Sequence, residues 1–285
     1  MRGAVVVKVF AVAQLLSFPT SHLLPKAKLV FFKKSGIEIK TKQELDKMRT
    51  AGRVVGEILQ KLTDIIKPGV TTKDINEFAE QYVRSLKMAP AFLGYRGYPA
   101  SACVSINDEV VHGIPNASRV LKEGDIVSVD MGVIYEGYYG DAAKTYAVGS
   151  ISDTAGKLLK ITELSLQKAI EQVLPGKRLG DVSYAVQKTV EDVGFSVVRD
   201  FVGHGIGRSM HEEPPIPNFG KAGTGVKLQP GMVLAVEPMV NVGGYEVNIL
   251  GDDWTVVTRD GSLSAHFEHT IAITEDGNEI LTASR

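Results

Sequence analysis

The spacing of apolar residues predicts amphipathic helices in two separate parts of the chain. Apolar positions from Leu45 to Ile66 recur every three or four residues, and a Thr41–Glu44 capping box precedes them. Pro68-Gly69 ends this helix, and a second helix is predicted over the run TTKDINEFAEQYVRSL. Another predicted helix spans Ser152 to Gly176 and also ends at Pro-Gly.

The two helical parts are similar to each other. The run PGVTTKDINEFAEQYV, from Pro68, aligns without a gap with PGKRLGDVSYAVQKTV, from Pro175. Strand-like runs with turn signals follow each part, which is typical of antiparallel sheets. The sequence therefore predicts an α+β fold in one domain, with halves 36–151 and 152–285 related by a pseudo-two-fold axis. Sites commonly form where such halves meet.

A β-hairpin is predicted by the run SVDMGVIYEGYYGDAAKTYAV, with its turn at Glu136-Gly137. In that register Asp130 lies opposite Ala143 or Lys144, and Asp141 is its diagonal neighbour. Side chains alternate between the faces of a strand, so both carboxylates can share one face and hold one or two cations. A lone buried carboxylate is costly unless positive charge compensates it. The alternative interpretation is a pair of exposed aspartates beside a tight turn.

Three more polar side chains lie in otherwise apolar, strand-like sequence in the second half. His204 lies in FVGHGIGRSMHEEP, where three glycines let the backbone bend tightly around the imidazole. Glu237 ends the run MVLAVEPMV, and Pro238 indicates that this strand stops there or lies at a sheet edge. Glu268 lies in the alternating run LSAHFEHTIAIT. Taken singly, each of these side chains is more typical of a structural role.

Together with the hairpin pair, these residues form a set of five candidate metal ligands: Asp130, Asp141, His204, Glu237 and Glu268. Four carboxylates and one imidazole suit two divalent first-row cations better than one structural zinc. Two such cations, about 3.5–4 Å apart, can clamp a tetrahedral transition state, and they lower the pKa of water from about 15.7 to about 7. The set therefore predicts amide hydrolysis. The sequence has no G-x-S-x-G elbow, and Cys103 lies in no recognisable motif, which disfavours a side-chain nucleophile.

Composition and charge change this interpretation little. The 285 residues are 44% hydrophobic and 23% charged, the net charge is -1 and the pI is about 6.6. This balance argues against specific nucleic-acid binding. A single cysteine excludes an internal disulfide and a cysteine-based zinc site, and it fits a reducing compartment.

Residues 1–35 form an acid-free extension before the predicted domain and contain the apolar run AVVVKVFAVAQLLSF. Lys8 interrupts the apolar stretch that a secretory signal needs, and the run is too short for a membrane span. We expect a non-essential or mis-started extension and a cytoplasmic protein without membrane association. The alternative is an organellar transit segment, although arginine and serine are scarce in it.

Five motifs resemble those of the type I methionine aminopeptidases, which are metallopeptidases of the pita-bread fold: CVSINDEVVHGIP, VDMGVIYEGYYGD, GHGIGRSMHEEP, VEPM and SLSAHFEHT. The resemblance runs in the family's order from about Gly36 to the C-terminus. It implies two divalent cations, cobalt, manganese, iron or zinc, on the five candidate ligands. In that arrangement Asp141 and Glu268 bridge the two cations.

The resemblance also implies catalytic and substrate-binding roles. His112 would bind the substrate and help to protonate the leaving amine, His211 would steady the scissile carbonyl, and Glu237 would assist deprotonation of the attacking water. The implied pocket for the methionine side chain consists of Phe92, Tyr95, Tyr98, Cys103, Met210 and Trp254. An apolar, partly aromatic pocket suits a flexible thioether. Ordinary core packing is the alternative for each of these residues.

The implied function is removal of the N-terminal methionine from nascent polypeptides whose second residue is small and uncharged. The enzyme would act as a monomer near the ribosome, and after deformylation where the polypeptide starts with formyl-methionine. One rival is an Xaa-Pro aminopeptidase or prolidase of the same fold, which usually carries an extra N-terminal domain and lacks the run NDEVVHGIP. The other is a non-catalytic paralogue, which is expected to have lost ligands.

Overall fold

The computed structural model describes residues 36–283, which form an α+β fold of helices on antiparallel sheets. The helices are α1 (Lys42–Ile65), α2 (Thr72–Ser85), α3 (Asp153–Ile170) and α4 (Leu179–Glu191), with a 3₁₀ turn at Tyr95–Gly97. The strands are β1 (Ala89–Pro90), β2 (Ala102–Ile106), β3 (Glu109–Val111), β4 (Ile126–Tyr135), β5 (Tyr138–Ala147), β6 (Ser196–Val197), β7 (Gly203–Gly205), β8 (Glu212–Ile216), β9 (Val233–Val236), β10 (Met239–Asn241), β11 (Val247–Ile249), β12 (Val256–Thr258), β13 (Ser264–His266), β14 (His269–Ile273) and β15 (Asn278–Ile280). The predicted extension, 1–35, lies outside the described residues. Within 36–283, no helix combines the length and the hydropathy that crossing a bilayer requires.

Each helix pair covers its own sheet. Helices α1 and α2 pack on the sheet of β1, β2, β4 and β5, in a core that includes Ile58 and Val129. Helices α3 and α4 pack in a second core, which includes Leu158 on α3 and Leu234 in the five-stranded sheet β15-β14-β9-β7-β8. Burial of each such side chain stabilises the fold by about 1.5–3 kcal/mol. The predicted α+β architecture is confirmed.

The internal repeat of the sequence is also present in the backbone hydrogen bonds. The N–H of Gly69 donates to the carbonyl of Leu121 at 2.9 Å. At the same offset along the chain, the N–H of Gly176 donates to the carbonyl of Leu228 at 3.0 Å. Both bonds connect the Pro-Gly turn between two helices to the segment that leads into a strand of the site. The turn after each first helix is therefore held in the same way in both parts.

The same offset relates two of the candidate ligands. Asp130 follows Leu121 by as many positions as Glu237 follows Leu228. Strands β4 and β9 also begin at corresponding positions. The repeat therefore places one acidic residue in each part of the chain four positions after the start of its strand, inside β4 for Asp130 and just past the end of β9 for Glu237.

The hairpin of β4 and β5 has the predicted register. Asp130 pairs with Ala143, and Asp141 pairs with Gly132, so the two aspartates are diagonal neighbours. The two turn residues have positive φ angles, 47° at Glu136 and 79° at Gly137. Two consecutive residues of positive φ are typical of the two-residue hairpin turn whose twist matches the strands. Strand β4 is buried over most of its length because it lies between β5 and both β1 and β2.

Helix α1 lies unusually close to β5, next to the second aspartate of the hairpin. A Cβ atom added to Gly140 would lie 2.6 Å from the backbone nitrogen of Gly52 on α1. Real Cβ atoms do not approach that closely, so this contact requires glycine at position 140, whereas a Cβ on Gly52 would meet the carbonyl oxygen of Leu281 at 2.6 Å. The contact fixes the backbone from which Asp141 emerges.

The prediction that the third helix extends to Gly176 is wrong. Helix α3 ends at Ile170, and the residues after it form turns. The amide of Asn278 donates hydrogen bonds to the carbonyls of Ile170 (2.9 Å) and Val173 (3.1 Å). Carbonyls at a helix end need such partners, and this partner is the first residue of β15, which is distant in the sequence and which local sequence does not reveal.

Candidate metal centre

Asp141 and Glu268 are brought together by β5 and the start of β14. The N–H of Asp141 donates to Thr270 Oγ1 at 3.0 Å, and that hydroxyl donates to the carbonyl of Asp141 at 2.7 Å. The N–H of Glu268 donates to the carbonyl of Ala143 at 2.9 Å. Both carboxylates are buried. Their backbones are therefore anchored across the two strands before any ligand binds.

His204 presents one ring nitrogen to these carboxylates. It lies in β7 between two glycines, and a Cβ on Gly205 would lie 2.1 Å from the carbonyl oxygen of Glu213 in β8. The predicted need for glycine around this imidazole therefore comes from close strand packing. The Nδ1 atom of His204 lies 2.9 Å from the carbonyl oxygen of Gly205. When Nδ1–H donates there, Nε2 keeps its lone pair for a metal.

The remaining glutamate stands at a break between strands. Glu237 separates β9 from β10, and Glu268 separates β13 from β14. The prediction that the strand stops at Glu237 is confirmed, whereas β9 lies inside its sheet rather than at an edge. At such breaks the side chains no longer alternate between the two faces of a sheet, so both glutamates can face the hairpin.

Four of the five candidate ligands are connected by short distances. Ligand atoms of Asp141, His204 and Glu268 all lie within 4.8 Å of one another. Glu237 Oε1 lies 3.5 Å from His204 Nε2. Asp130 joins them as the diagonal neighbour of Asp141 on the hairpin.

Negative charge is costly in this buried group of carboxylates. Burial, followed by the charge of Asp141, raises the pKa of Asp130 well above its usual range. Burial and the neighbouring carboxylates raise the pKa values of Glu237 and Glu268 in the same direction. Burial also raises the pKa of Asp141, to about 7. No lysine or arginine among residues 36–283 forms an ion pair with these four carboxylates.

These residues fit divalent cations. Within the described chain, Asp130 Oδ1, Asp141 Oδ1 and Glu268 Oε1 are buried without a hydrogen-bond partner. Burial lowers the pKa of His204 to about 4, so its imidazole is neutral and available as a ligand. Orphaned carboxylate oxygens beside a neutral imidazole are a donor set for manganese, iron, cobalt or zinc.

His211 lies beside His204. The two ring centroids are 4.3 Å apart, and burial, followed by the charge of His204, lowers the pKa of His211 to about 2. The loop before it is anchored by Glu212, whose carboxylate accepts from the N–H of Ser209 at 3.0 Å and pairs with the buried ammonium of Lys40. The neutral imidazole of His211 is therefore held at the edge of the metal centre.

His112 is not among the three residues whose ligand atoms lie within 4.8 Å of one another. Its ring stands edge-on to Phe201 and Trp254, with centroids 5.6 Å and 6.2 Å away. Burial lowers the pKa of His112 to about 4. Its backbone φ is 62°, an uncommon angle for a residue with a side chain. Residues held in such a conformation cluster at functional sites.

All six predicted pocket residues belong to one apolar cluster. Four of these six pocket residues are buried and the other two are partly buried: Phe92, Tyr98, Cys103 and Met210 in the first group, Tyr95 and Trp254 in the second. Cys103 pairs with Asp130 across β2 and β4, and Met210 directly precedes His211. The cluster therefore adjoins the candidate metal centre. It also contains Ile114 and Tyr139, which the sequence did not indicate.

His266 is a further polar residue of the centre that sequence reasoning missed. It is buried, its Nε2 atom has no hydrogen-bond partner within 36–283, and that atom lies 3.8 Å from Glu237 Oε2. Burial lowers the pKa of His266 to about 3. The available signal was its position in the same motif, two residues before Glu268. We infer that this imidazole restrains the Glu237 carboxylate.

We expect His266→Ala to lower the affinity for divalent cations by about 10–100-fold, the usual cost of removing a partner of a metal-binding group. His266→Gln keeps an N–H donor of similar reach and is the matched control. Calorimetric titration of Mn²⁺ into each metal-free protein measures the effect. Equal affinities in the alanine variant and the wild type would show that His266 is a packing residue.

Comparison with known proteins agrees with this site. The sequence profile of metallopeptidase family M24 matches residues 46–275. The chain is 55% identical to the methionine aminopeptidase of Clostridium acetobutylicum over 246 residues, which cover 86% of this chain and 98% of the relative. It is 54% identical over 243 residues to methionine aminopeptidase 1 of Bacillus subtilis, covering 85% of this chain and 98% of the relative.

Solved structures separate this family from the rival fold members. The methionine aminopeptidase of Thermotoga maritima superposes with a TM-score of 0.86 at 53% identity, covering 87% of this chain and all (100%) of that one. The prolidase of Pyrococcus horikoshii gives a TM-score of 0.68 at 20% identity, covering 87% of this chain and 64% of that one, and so shares the fold alone. The chain therefore belongs to metallopeptidase family M24 and, within it, to the type I methionine aminopeptidases.

Proposed function

We propose that this chain holds two divalent cations on Asp130, Asp141, His204, Glu237 and Glu268 and removes N-terminal methionine from polypeptides. The observation that carries the proposal is the buried group of Asp141, His204 and Glu268, whose ligand atoms lie within 4.8 Å of one another. Its orphaned carboxylate oxygens require positive charge. The apolar cluster beside it suits a methionine side chain.

Cations bound there would supply Lewis-acid chemistry, because they lower the pKa of water and polarise a carbonyl. Cobalt, manganese, iron and zinc are all compatible with this donor set. The carboxylates of Asp130, Asp141, Glu237 and Glu268 would hold the cations and compensate their charge.

The chain's own residues would then move the protons. Glu237 is the proposed acceptor of the proton of the attacking water, since its side chain is 13% exposed, whereas Asp141 and Glu268 are nearly inaccessible. His211 is neutral and is proposed to donate a hydrogen bond to the scissile carbonyl oxygen. His112, at the aromatic edge of the pocket, is proposed to bind the substrate and to help protonate the leaving amine.

We further propose that residues 36–285 act as a monomeric catalytic domain in the cytoplasm, on nascent polypeptides near the ribosome. The net charge of -1 favours a polypeptide over a nucleic acid as the partner. A free α-amine is required at the metal centre, so formylated chains would be substrates only after deformylation. A cramped site beyond the scissile bond would restrict the second residue to small, uncharged ones.

Incubation of the metal-reconstituted protein with Met-Ala-Ser and Met-Lys-Ser tests this function. We expect methionine to be released from the first peptide alone, because only the second carries a large charged residue after methionine. Xaa-Pro peptides are the control for the rival activity. Cleavage of Xaa-Pro peptides without release of methionine from Met-Ala-Ser would overturn the proposal.

A further inference from the structure

We propose that Tyr95 is a positioning residue that fixes the tautomer of His211, in addition to lining the methionine pocket. Its phenol oxygen lies 2.8 Å from His211 Nδ1. The two rings are stacked, with centroids 5.4 Å apart and planes inclined by 18°. The inference rests on the proposed function, in which His211 donates a hydrogen bond to the scissile carbonyl.

The direction of this hydrogen bond decides what His211 can do. A neutral imidazole has one N–H donor and one acceptor nitrogen. When the phenol donates to Nδ1, the imidazole proton must lie on Nε2, where it can reach a carbonyl oxygen. In the opposite arrangement Nε2 would be an acceptor and would repel that oxygen.

The surroundings of Tyr95 favour the phenol as donor. An imidazole nitrogen is a stronger base than a phenol oxygen, so the proton is better shared in that direction. The guanidinium of Arg96 lies 5.3 Å from the Tyr95 ring centroid. A positive charge beside the ring draws electron density from the phenol and makes its O–H a better donor to Nδ1.

The two partners of the hydrogen bond are anchored independently. The loop of Tyr95 is closed by the N–H of Gly94, which donates to the carbonyl of Tyr98 at 2.8 Å, and by positive φ angles at Gly94 (81°) and Arg96 (52°). The loop of His211 is held from the other side by Glu212 and its buried partner, Lys40. The position of the Tyr95 hydroxyl therefore does not depend on the conformation of the His211 loop.

Tyr95→Phe tests the inference because it removes the hydroxyl and keeps the stacked ring. We expect kcat for Met-Ala-Ser to fall about tenfold, as for the loss of one functional hydrogen bond, with KM and metal content nearly unchanged. The matched control is Tyr82→Phe, which removes a hydroxyl that donates to Glu57 at 3.0 Å on the α1–α2 surface. This control is expected to keep the wild-type kcat.

Nitrogen NMR of ¹⁵N-histidine-labelled, zinc-loaded enzyme reads the tautomer directly. We expect His211 to carry its proton on Nε2 in the wild type and to populate both tautomers in Tyr95→Phe. If Tyr95→Phe left the tautomer unchanged, or raised KM without changing kcat, Tyr95 would only line the methionine pocket and would not position His211. If the wild type failed to release methionine, the proposed function would fail instead, so the two failures are distinguishable.

Discussion

Asp141→Asn is expected to abolish turnover, with a fall in kcat/KM for Met-Ala-Ser of at least about 100-fold. Loss of a residue that only supports a metal ligand already costs up to about 100-fold, and Asp141 is itself a proposed ligand. The carboxamide has the same shape, but it lacks the negative charge and one of the two oxygen donors. The backbone of Asp141 stays anchored to Thr270 in the variant, because both hydrogen bonds involve main-chain atoms. The defect should therefore lie in the metal centre and not in the fold.

The metal-free variant should be more stable than the metal-free wild type. Without cations, Asp130, Glu237 and Glu268 are all disfavoured as anions by burial and by the charge of neighbouring carboxylates. Removal of one charge relieves that repulsion.

Thermal unfolding of both metal-free proteins, together with the metal content of each protein after dialysis, distinguishes a loss of metal binding from a loss of stability. The matched control is Asp276→Asn at an exposed turn, and normal turnover in Asp141→Asn would remove the two-cation assignment.

His112→Ala is expected to lower kcat by about 10²–10⁴-fold, the range for loss of a general acid, and to leave the metal content at two per chain. The reason is geometric, since the His112 ring packs edge-on against the aromatic rings of Phe201 and Trp254. Metal analysis beside steady-state kinetics checks the result.

His112→Asn is the control for backbone effects in that experiment. His112 has a φ of 62°, which asparagine tolerates better than alanine does. Both variants should keep two cations and lose turnover if the imidazole is what matters. A collapse of metal content in both variants would show that His112 is a ligand and that its proposed role is wrong.

Much of this site could be predicted from local patterns. The hairpin register follows from Glu136-Gly137 and the two-residue period of strands, which together place Asp130 diagonal to Asp141. The glycines around His204 were predicted to let the backbone bend tightly, and in the structure they allow close strand packing instead. Pro238 indicated the strand break at Glu237. In each case the chemistry of a few adjacent residues determines the local geometry.

Features that depend on distant contacts could not be predicted in this way. The end of α3 at Ile170 depends on Asn278, and the orientation of His211 depends on Tyr95. Both partners lie more than a hundred positions away from the group that they hold, and neither has a local sequence signature. The proposed role of His266 likewise depends on a long-range contact, because its Nε2 atom lies 3.8 Å from Glu237 Oε2.

Anomalous X-ray scattering from crystals loaded with Mn²⁺ tests the central claim most directly. Five side chains contributed by separate parts of the chain are proposed to hold a pair of cations. We expect two anomalous peaks about 3.5–4 Å apart, the usual spacing of paired catalytic cations, with Asp141 and Glu268 in contact with both. A single peak, or a pair that leaves any one of the five side chains outside bonding distance, would contradict the account.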